Sequence, residues 1–595
     1  MSVNRFLAAV AVATLLCSCT TPPRYRGSHP FLKEQPRILV DKVLMLDNKW
    51  VMTEDHVREI KAAGFNVVSP RLGGTDPARV RKVAAMAQKH DMFYVAWMRG
   101  SLSTPKNVPE SERYVYADGH SCDIYSPNAD ALWDWMEKTI LEHVRISVEI
   151  PAMAGSFLDF ENYAKGKAGN CYNVSYDSST LQAFAAARGL TLPELGAAQH
   201  AEWVAEQKLE DAFRDFQIAG WRERARRIRE KIDAINPGFL LLIYPAPGTL
   251  LMTEGLYPEW ATEEAPLVLC NASTYGRPSE FIEEAAALKA NRKILKDTMK
   301  VPRAAGIPHV YLGGIDPVCA GADPEFCGKN ASLICDVTDG YWIFYEGPEY
   351  KKDHPEYFRW FKQANADSVA GEFDLWRQPR SQPEQLGDTT LERKTDLLQV
   401  GIYNTRKKLG EDIESTGKYE IHKVRGMSLE YLQKLDVIVL QNFNLAIETD
   451  HPISINLRKY VEQGGGLLLG HDTAWFMESL FPKVAKRGYP KHKVDSVRHV
   501  LDTTLVVAAQ HPGLPGLAPG ARFETEFGDH MIFKPGPEGS VIVRNQFGDP
   551  VYVVADVGKG RVVYSGCYYG YSKNLKGGER ATLLGLVDWL AENGE

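Results

Sequence analysis

Eight short apolar runs, separated by amphipathic stretches, occupy the first three fifths of the chain. They are almost continuously apolar rather than alternating, which is typical of strands buried on both faces of a parallel sheet. The runs are Ile38–Leu46, Phe65–Pro70, Phe93–Met98, Ser156–Phe160, Phe239–Tyr244, Leu267–Asn271, His309–Gly313 and Gly340–Tyr345. Helical patterns lie between them at Glu54–Ala63, Pro77–His90, Ala129–Glu142, Glu202–Ile235 and Ser279–Met299. Strands and helices in this alternation predict a (β/α)8 TIM barrel over residues 37–363.

An open, doubly wound α/β sheet is the alternative architecture for this pattern. The first strand of such a sheet is normally followed by a Gly-rich loop that binds phosphate. Here the first run leads into Asp47-Asn48-Lys49-Trp50, which contains no glycine. The sequence therefore favours the barrel, and it predicts no cofactor.

A second α/β pattern follows a linker of several prolines and mixed charge at residues 364–395. It predicts a smaller, doubly wound domain over residues 396–595. Its predicted elements are strands at Leu397–Tyr403, Tyr419–Val424, Val437–Leu440 and Gly466–Gly470, a hairpin of Pro550–Asp556 with Arg561–Gly566, and a final helix at Glu579–Glu592.

The order "VGIYN… DVIVLQNF… YVEQGGGLLLG" resembles the class I glutamine-amidotransferase-like fold, in its ThuA-like or β-galactosidase-trimerisation variants. An active amidotransferase places a cysteine on the sharp turn between strand and helix. Here that segment reads Leu469-Gly470-His471-Asp472-Thr473, and Cys567 lies on the last strand instead. We therefore expect an accessory domain that serves packing, homo-oligomerisation or glycan contact. His471 and Asp472 could mark a small site, although a turn histidine bonded by its neighbours is the simpler interpretation.

The N-terminus has the pattern of an export signal. Arg5 precedes the apolar run Phe6–Leu16, which is too short to span a bilayer but suits a signal peptide. The following residues, up to Cys19, resemble the lipobox of bacterial lipoproteins. That resemblance implies cleavage before Cys19, lipidation of its thiol and attachment to the cell envelope, with Thr20–Pro36 as a tether. An ordinary secretory signal is the alternative, and both interpretations export the protein.

Charge and cysteine content restrict the partners. The formal net charge is −7 and no basic tract stands out, so we expect no nucleic-acid partner. Seven cysteines follow the signal region, none in a Cys-x-x-Cys or Cys/His spacing, and we therefore predict no metal site. In an oxidising compartment Cys319 and Cys327 are plausible disulfide partners, and Cys122 with Cys171 are weaker ones.

The fourth run ends in two acids. Catalytic groups of a TIM barrel come from the C-terminal ends of its strands, and Asp159 and Glu161 are two residues apart, so both should point into the barrel mouth. Two carboxylates crowded in a cleft repel, so that the pKa of one should rise. Glycoside hydrolysis needs such a division between a protonated acid and a charged group. Alternatively the two acids hold loop amides or an arginine, for which Arg71 and Arg99 are available.

This strand end resembles that of the chitinase-like and endo-N-acetylglucosaminidase families, which ends in Asp-x-Glu. The resemblance implies that Glu161 is the general acid/base and that Asp159 orients a substrate acetamide. It also matches Tyr275 and Trp342 to a tyrosine and a floor tryptophan of those families. The fuller motif Asp-x-x-Asp-x-Asp-x-Glu is absent. The strand also resembles the "FLD" strand of endo-galactosaminidase-like barrels, in which Asp159 would carry more of the chemistry.

Two later acids are further candidates. Asp316 follows the seventh run and Glu346 the eighth. In families with catalytic acids on strands four and seven, Asp316 would be the nucleophile or base. Loop capping is the alternative role for both acids, because Asp-Pro commonly starts a turn.

Aromatic and polar residues at the same strand ends suit carbohydrate, because the C–H faces of sugars stack on aromatic rings. The candidate substrate-binding residues are Arg71, Trp97, Arg99, Asn162, Tyr163, Tyr244, Tyr275, Trp342 and Glu346, with Tyr345 beside them. We therefore expect an exported glycoside hydrolase that acts on a polysaccharide or glycan. A carbohydrate-binding surface lipoprotein without catalysis is the alternative. A peptidase or amidase is disfavoured, because the chain has no Gly-x-Ser-x-Gly or His-Glu-x-x-His motif.

Overall fold

A computed structural model describes most of the chain after its N-terminal segment. The described residues are 29–41, 52–99, 107–163, 170–277, 280–317, 319, 321–345, 348–382, 387–403, 407–443, 449–488, 499–501, 503–570 and 575–592. The predicted signal peptide and the predicted lipidation site Cys19 lie outside these residues.

Eight parallel strands close into a barrel in chain order, and the last pairs with the first, with Arg37 opposite Tyr341. This confirms the TIM barrel. Each predicted run overlaps one strand, and residues 42–46 of the first run lie outside the described residues. The strands are β1 Arg37–Asp41, β2 Val67–Pro70, β3 Phe93–Arg99, β4 Met153–Asp159, β5 Leu240–Ala246, β6 Leu267–Asn271, β7 His309–Ile315 and β8 Gly340–Tyr345.

Helices surround the barrel, and several begin at a side chain that accepts hydrogen bonds from the first turn, as Asp76 and Asp323 do. The predicted helix Glu202–Ile235 is two helices, because Lys208 adopts a left-handed backbone conformation (φ 58°) between them. The helices are α1 Glu54–Ala62, α2 Pro77–Lys89, α3 Asp130–Glu149, α4 Ser178–Arg188, α5 Ala197–Glu206, α6 Glu210–Asp233, α7 Tyr257–Trp260, α8 Glu284–Thr298, α9 Lys300–Ala304, α10 Pro324–Val337 and α11 Pro348–Ala370.

Short elements complete this part of the chain. A hairpin of Arg113–Val115 and Ser121–Tyr125 is inserted between β3 and β4, and α4 and α5 between β4 and β5. Single helical turns of 3-10 type occur at Pro30–Leu32, Glu110–Glu112 and Leu375–Arg377, and a π-helical turn at Leu251–Leu256.

The barrel interior is filled by side chains that alternate along the strands. One apolar cluster lies inside the barrel and includes Phe157, Trp342 and Phe344. The intervening residues, such as Leu158 and Tyr345, belong to a second cluster between the barrel and its helices. The period-two geometry of strands produces this division, and it sets which residues can reach the barrel mouth.

The last residues of the predicted tether pack under the barrel. His29 Nε2 lies 2.7 Å from the carbonyl oxygen of Gly238. Phe31 is 1% exposed and contacts the ring of Phe93, with a centroid distance of 5.5 Å. Because Gly238 precedes β5 and Phe93 is the first residue of β3, Phe31 closes the N-terminal end of the barrel, opposite the carboxyl ends of the strands.

Neither predicted disulfide is present in the structure. Cys319 and Cys327 are not bonded to each other. Cys327 is buried on α10, and Cys319 lies beside Gly276 and Ala322. No disulfide joins Cys122 to Cys171. These two belong to one small apolar cluster, in which the Tyr116 hydroxyl lies 3.3 Å from Cys171 Sγ.

The second unit is a nine-stranded sheet whose first five strands in spatial order are parallel. In that order the strands are Tyr419–Lys423, Leu398–Tyr403, Val437–Gln441, Gly466–Gly470, Gly560–Ser565, Pro550–Val557, Ser540–Asn545, Thr504–Val507 and Arg522–Glu524. Two small pairs join Ala485–Arg487 to Phe533–Pro535 and His499–Leu501 to Asp529–Met531. The helices are α12 Lys407–Glu414, α13 Leu429–Leu432, α14 Pro452–Glu462, α15 Asp472–Phe476 and α16 Gly577–Ala591.

The predicted linker is attached to the barrel over part of its length. Its first residues continue α11 to Ala370. Further along, Arg380 forms ion pairs with Glu284 on α8 and with Asp323 at the start of α10, each at 2.7 Å. No helix among the described residues is both long and apolar enough to cross a membrane.

We expect Phe31→Ala to lower the free energy of unfolding by about 3–5 kcal/mol, because it leaves a cavity under the barrel. Urea denaturation measures this change. Phe547→Ala is the matched control, since Phe547 is 37% exposed and its truncation should cost much less. An equal loss in the free energy of unfolding for the two variants would contradict the proposed packing of Phe31 into the end of the barrel.

Candidate active site

Three neighbouring strands place an arginine, an aspartate and a tyrosine side by side at the carboxyl ends of the barrel strands. In the barrel register, Asp159 at the end of β4 is opposite Arg99 on β3 and Tyr244 on β5. Phe160 continues the pairing, since its N–H donates to the Tyr244 carbonyl oxygen at 2.7 Å. The register of the closed sheet therefore fixes the positions of these three residues without any contribution from the loops.

The Asp159 carboxylate is buried and held on both sides. Its Oδ2 lies 3.3 Å from Arg99 Nε, and its Oδ1 accepts a hydrogen bond of 2.9 Å from the Glu161 N–H. Burial raises the pKa of Asp159 to about 7, against the opposing effects of Arg99 and of the Glu161 N–H. The predicted rise in one pKa of the pair thus falls on Asp159, and burial contributes more to it than repulsion by Glu161.

Glu161 is the half-buried carboxylate of the pair and lies nearer the solvent. The Tyr163 hydroxyl donates to its Oε1 at 3.4 Å, and Arg99 Nη2 donates to its backbone carbonyl oxygen at 3.5 Å. The Tyr244 hydroxyl also interacts with the Glu161 carboxylate, and burial together with this charge raises the pKa of Tyr244. Glu161 is therefore surrounded by hydroxyl groups and has access to the barrel mouth.

Asp316 follows β7, and the loop after β6 holds it. Its N–H donates to the Tyr275 carbonyl oxygen at 2.9 Å. Burial raises the pKa of Tyr275, and the charges of both Glu161 and Asp316 raise it further. Tyr275 therefore lies within electrostatic reach of both carboxylates.

Three of the predicted sugar-stacking aromatics are core residues. Trp97, Tyr244 and Trp342 are at most 3% exposed, so their rings cannot stack on a substrate in this structure. Trp342 donates through Nε1 to the Asn271 carbonyl oxygen at 3.0 Å, and its ring packs edge-on against Tyr244. Sequence alternation predicts that such residues face inward, but not how many layers of side chains cover them.

Tyr345 faces the helices rather than the mouth. Its hydroxyl lies 2.6 Å from His354 Nδ1 on α11. Tyr163, at 49% exposure, and the half-buried Tyr275 remain as aromatic residues that a sugar can reach.

The remaining predicted site residues take different positions. Arg71 lies over the rings of Phe344 and Trp97, at 4.6 and 5.6 Å from their centroids, and its charge acts on Asp159. The N–H of Asn162 donates to Asn170 Oδ1 at 3.3 Å, so Asn162 continues the loop that carries Glu161. Glu346 lies outside the described residues.

Phe344 is a residue of the barrel mouth that is not among the residues predicted from the sequence. Its ring supports the Arg71 guanidinium and packs against Trp342, with a centroid distance of 4.5 Å. The alternation of side chains along a strand predicts its position, because Phe344 is two residues after Trp342 and therefore lies on the same face of β8. Among the described residues, no group of three or more His, Cys, Asp or Glu side chains could hold a metal ion.

His471 and Asp472 form a separate ion cluster in the second unit. His471 Nε2 lies 3.3 Å from Asp529 Oδ2, and its Nδ1 lies 3.5 Å from Asp472 Oδ2. Burial lowers the pKa of His471, but the two carboxylates outweigh it and raise the pKa to about 9. The imidazole is thus held between its neighbours, in a left-handed turn (φ 48°) between strand and helix.

No protein-family model and no curated protein matches the chain. Solved structures similar to it include a β-galactosidase from Bacillus circulans sp. alkalophilus, with 11% identity, a TM-score of 0.39 and coverage of 94% of this chain and 88% of that chain. An α-L-fucosidase isoenzyme 2 from Paenibacillus thiaminolyticus has 13% identity, a TM-score of 0.34 and coverage of 93% and 83%. A ThuA-like protein from Bacteroides uniformis has 14% identity, a TM-score of 0.26 and coverage of 34% and 95%.

We expect Asp159→Asn to gain stability relative to the wild type as the pH rises from about 4 to 7. The pKa of Asp159 is about 7 in the folded state and lies near 3.8 without the fold. The fold favours the protonated form of Asp159, so the stabilisation from this preference is complete below pH 3.8 and is lost as the pH rises through 7. Asparagine does not titrate, and its contribution does not change with pH. Urea denaturation of both proteins at several pH values measures the difference. A difference that is constant with pH would contradict a raised pKa.

Proposed function

We propose that the barrel mouth is the active site of a glycoside hydrolase. The observation that carries this proposal is Glu161, a half-buried carboxylate at the end of β4, contacted by the Tyr163 hydroxyl and backed by the buried Asp159. Hydrolysis of a glycosidic bond needs two carboxyl groups that flank the bond, and little other chemistry from the protein. The substrate class is a polysaccharide or glycan.

Glu161 and Asp316 are the proposed catalytic pair. Both are half-buried, they follow different strands, and both charges act on Tyr275. Glu161 donates a proton to the leaving oxygen, as a general acid does. Asp316 either attacks the anomeric carbon or removes a proton from the attacking water, according to the separation of the two carboxyl groups.

Asp159 is proposed as a positioning residue. It is 2% exposed, and its two oxygens face Arg99 and the Glu161 N–H. An acid in this position fixes the backbone at Glu161 and adds negative charge behind it once the pH exceeds about 7. This role differs from the acetamide contact that the chitinase-like resemblance implies.

The substrate side of the proposed site is formed by Tyr163, Tyr275 and Arg99. Tyr163 is half-exposed while its hydroxyl contacts Glu161, so its ring lies at the rim beside the catalytic group. Sugar rings stack on such an aromatic face. The buried rings of Trp97, Tyr244 and Trp342 then support the floor without touching substrate.

We also propose export and lipidation at Cys19. His29 is ten residues beyond Cys19, a stretch of at most about 36 Å. Because His29 and Phe31 lie at the closed end of the barrel, a lipid at Cys19 would leave the mouth directed away from the membrane.

We expect Glu161→Gln to reduce the release of reducing ends from a glycan panel by about 10³-fold or more, because the glutamine amide donates no proton to the leaving oxygen. Asp316→Asn should reduce release to a similar extent. Glu264→Gln is the control, since Glu264 precedes β6 at the opposite face. Retained release by Glu161→Gln would contradict the assignment of the acid, whereas glycan binding without release by the wild type would favour a binding protein.

A further inference from the structure

The second unit contacts the barrel through the loop that follows β6. Tyr403 ends the first strand of the second sheet, and its hydroxyl donates to Glu280 Oε2 at 3.1 Å. The next residue of the loop, Phe281, packs against Tyr403 and Phe443, with centroid distances of 5.8 and 6.2 Å. Phe281 is 5% exposed, so the contact is a buried one.

This contact occupies the place where doubly wound sheets usually bind ligands. The five parallel strands have the spatial order 2-1-3-4-5 in chain numbering, so the order reverses between the first and the third. Ligands of such sheets bind in the crevice at that point, beyond the carboxyl ends of the strands. Tyr403 ends the first strand and Phe443 follows the third, and Phe281 of the barrel lies against both.

The same loop is bonded to the end of β7, where Asp316 lies. The Tyr275 carbonyl oxygen accepts from the Asp316 N–H at 2.9 Å. The adjacent Thr274 donates through its hydroxyl to the Gly314 carbonyl oxygen at 3.0 Å. A displacement of this loop would therefore move Asp316 as well as Tyr275.

The middle of the loop is anchored too. Arg277 is 8% exposed and donates through Nη1 to the Ile282 carbonyl oxygen at 2.9 Å. Its Nη2 lies 3.6 Å from Asp323, which also pairs with Arg380 of the predicted linker. The path from the second unit to Asp316 consequently runs through packed and bonded residues.

We propose that the second unit is a positioning element for the barrel site, and that Tyr403 and Phe443, by docking Glu280 and Phe281, hold the loop that places Tyr275 and Asp316. The inference rests on the proposed glycosidase function and extends it. The second unit acts on catalysis through the loop and not through a ligand of its own. Tyr403 is accordingly a positioning residue, and it does not touch the substrate.

The test compares Tyr403→Phe, Glu280→Ala, the double variant and Glu280→Gln in the full chain. We expect Tyr403→Phe and Glu280→Ala each to lower kcat about ten-fold with little change in KM, because the substrate still binds while Asp316 is misplaced. The double variant should lose no more than either single variant, since both remove one contact. Glu280→Gln should keep near-normal kcat, because its amide oxygen still accepts from Tyr403.

Tyr419→Phe is the matched control. It removes a tyrosine hydroxyl bonded to the Asp588 carboxylate within the second unit alone, and kcat should not change. Equal losses in Tyr419→Phe and Tyr403→Phe would overturn the proposal, because they would indicate a general effect of the second unit's stability. Unchanged kcat in both Tyr403→Phe and Glu280→Ala would also overturn it.

Amide hydrogen exchange separates this proposal from the proposed function. Tyr403→Phe should speed exchange at residues 272–277 and 280–283 without speeding it in β1–β5. Unchanged exchange in that loop overturns the docking role even if the wild type is a hydrolase. If the wild type hydrolyses no glycan in the panel, the proposed function fails, and faster exchange in the loop still supports the docking.

Discussion

The pairing of Asp159 with Arg99 depends on the register of β3 and β4, and the rest of the site depends on that pairing. Asp159 is nearly inaccessible to solvent, and Arg99 partly offsets the cost of burying its charge. The same carboxylate receives the Glu161 N–H, which fixes the direction in which β4 leaves the barrel. A buried acid at the strand end thereby leaves its more accessible neighbour, Glu161, at the mouth.

Much of this arrangement can be predicted from the sequence. The eight barrel strands are continuous apolar runs, and the placement of Asp159 and Glu161 at a strand end follows from the boundary of one run. Burial depth could not be predicted, because the rings that pack against Trp342 come from β4, β5, β8 and the loop after β6. The docking of Phe281 on Tyr403 could not be predicted either, because it joins residues of two units that are far apart in sequence. The sequence does not predict the strands Thr504–Val507 and Ser540–Asn545, because such short runs, only partly buried, leave a weak pattern.

The barrel and the second unit have different roles in the proposed activity. The barrel provides the carboxylates, and the second unit has a buried ion cluster at His471. The carboxyl ends of its parallel strands contact the loop after β6. Through this contact the second unit constrains the proposed site of the barrel. Phe31 closes the opposite end of the barrel, where it packs into the interior cluster.

Hydrolysis by the barrel is tested by incubating the wild type with a glycan panel in H₂¹⁸O and analysing the products by mass spectrometry. Hydrolysis places the water oxygen on the anomeric carbon, so we expect shorter products that carry one ¹⁸O at each new reducing end. Glu161→Gln in the same assay should yield none. Shorter products with an unsaturated end and no ¹⁸O, or products equally abundant with Glu161→Gln, would contradict a glycoside hydrolase that uses Glu161 as its acid.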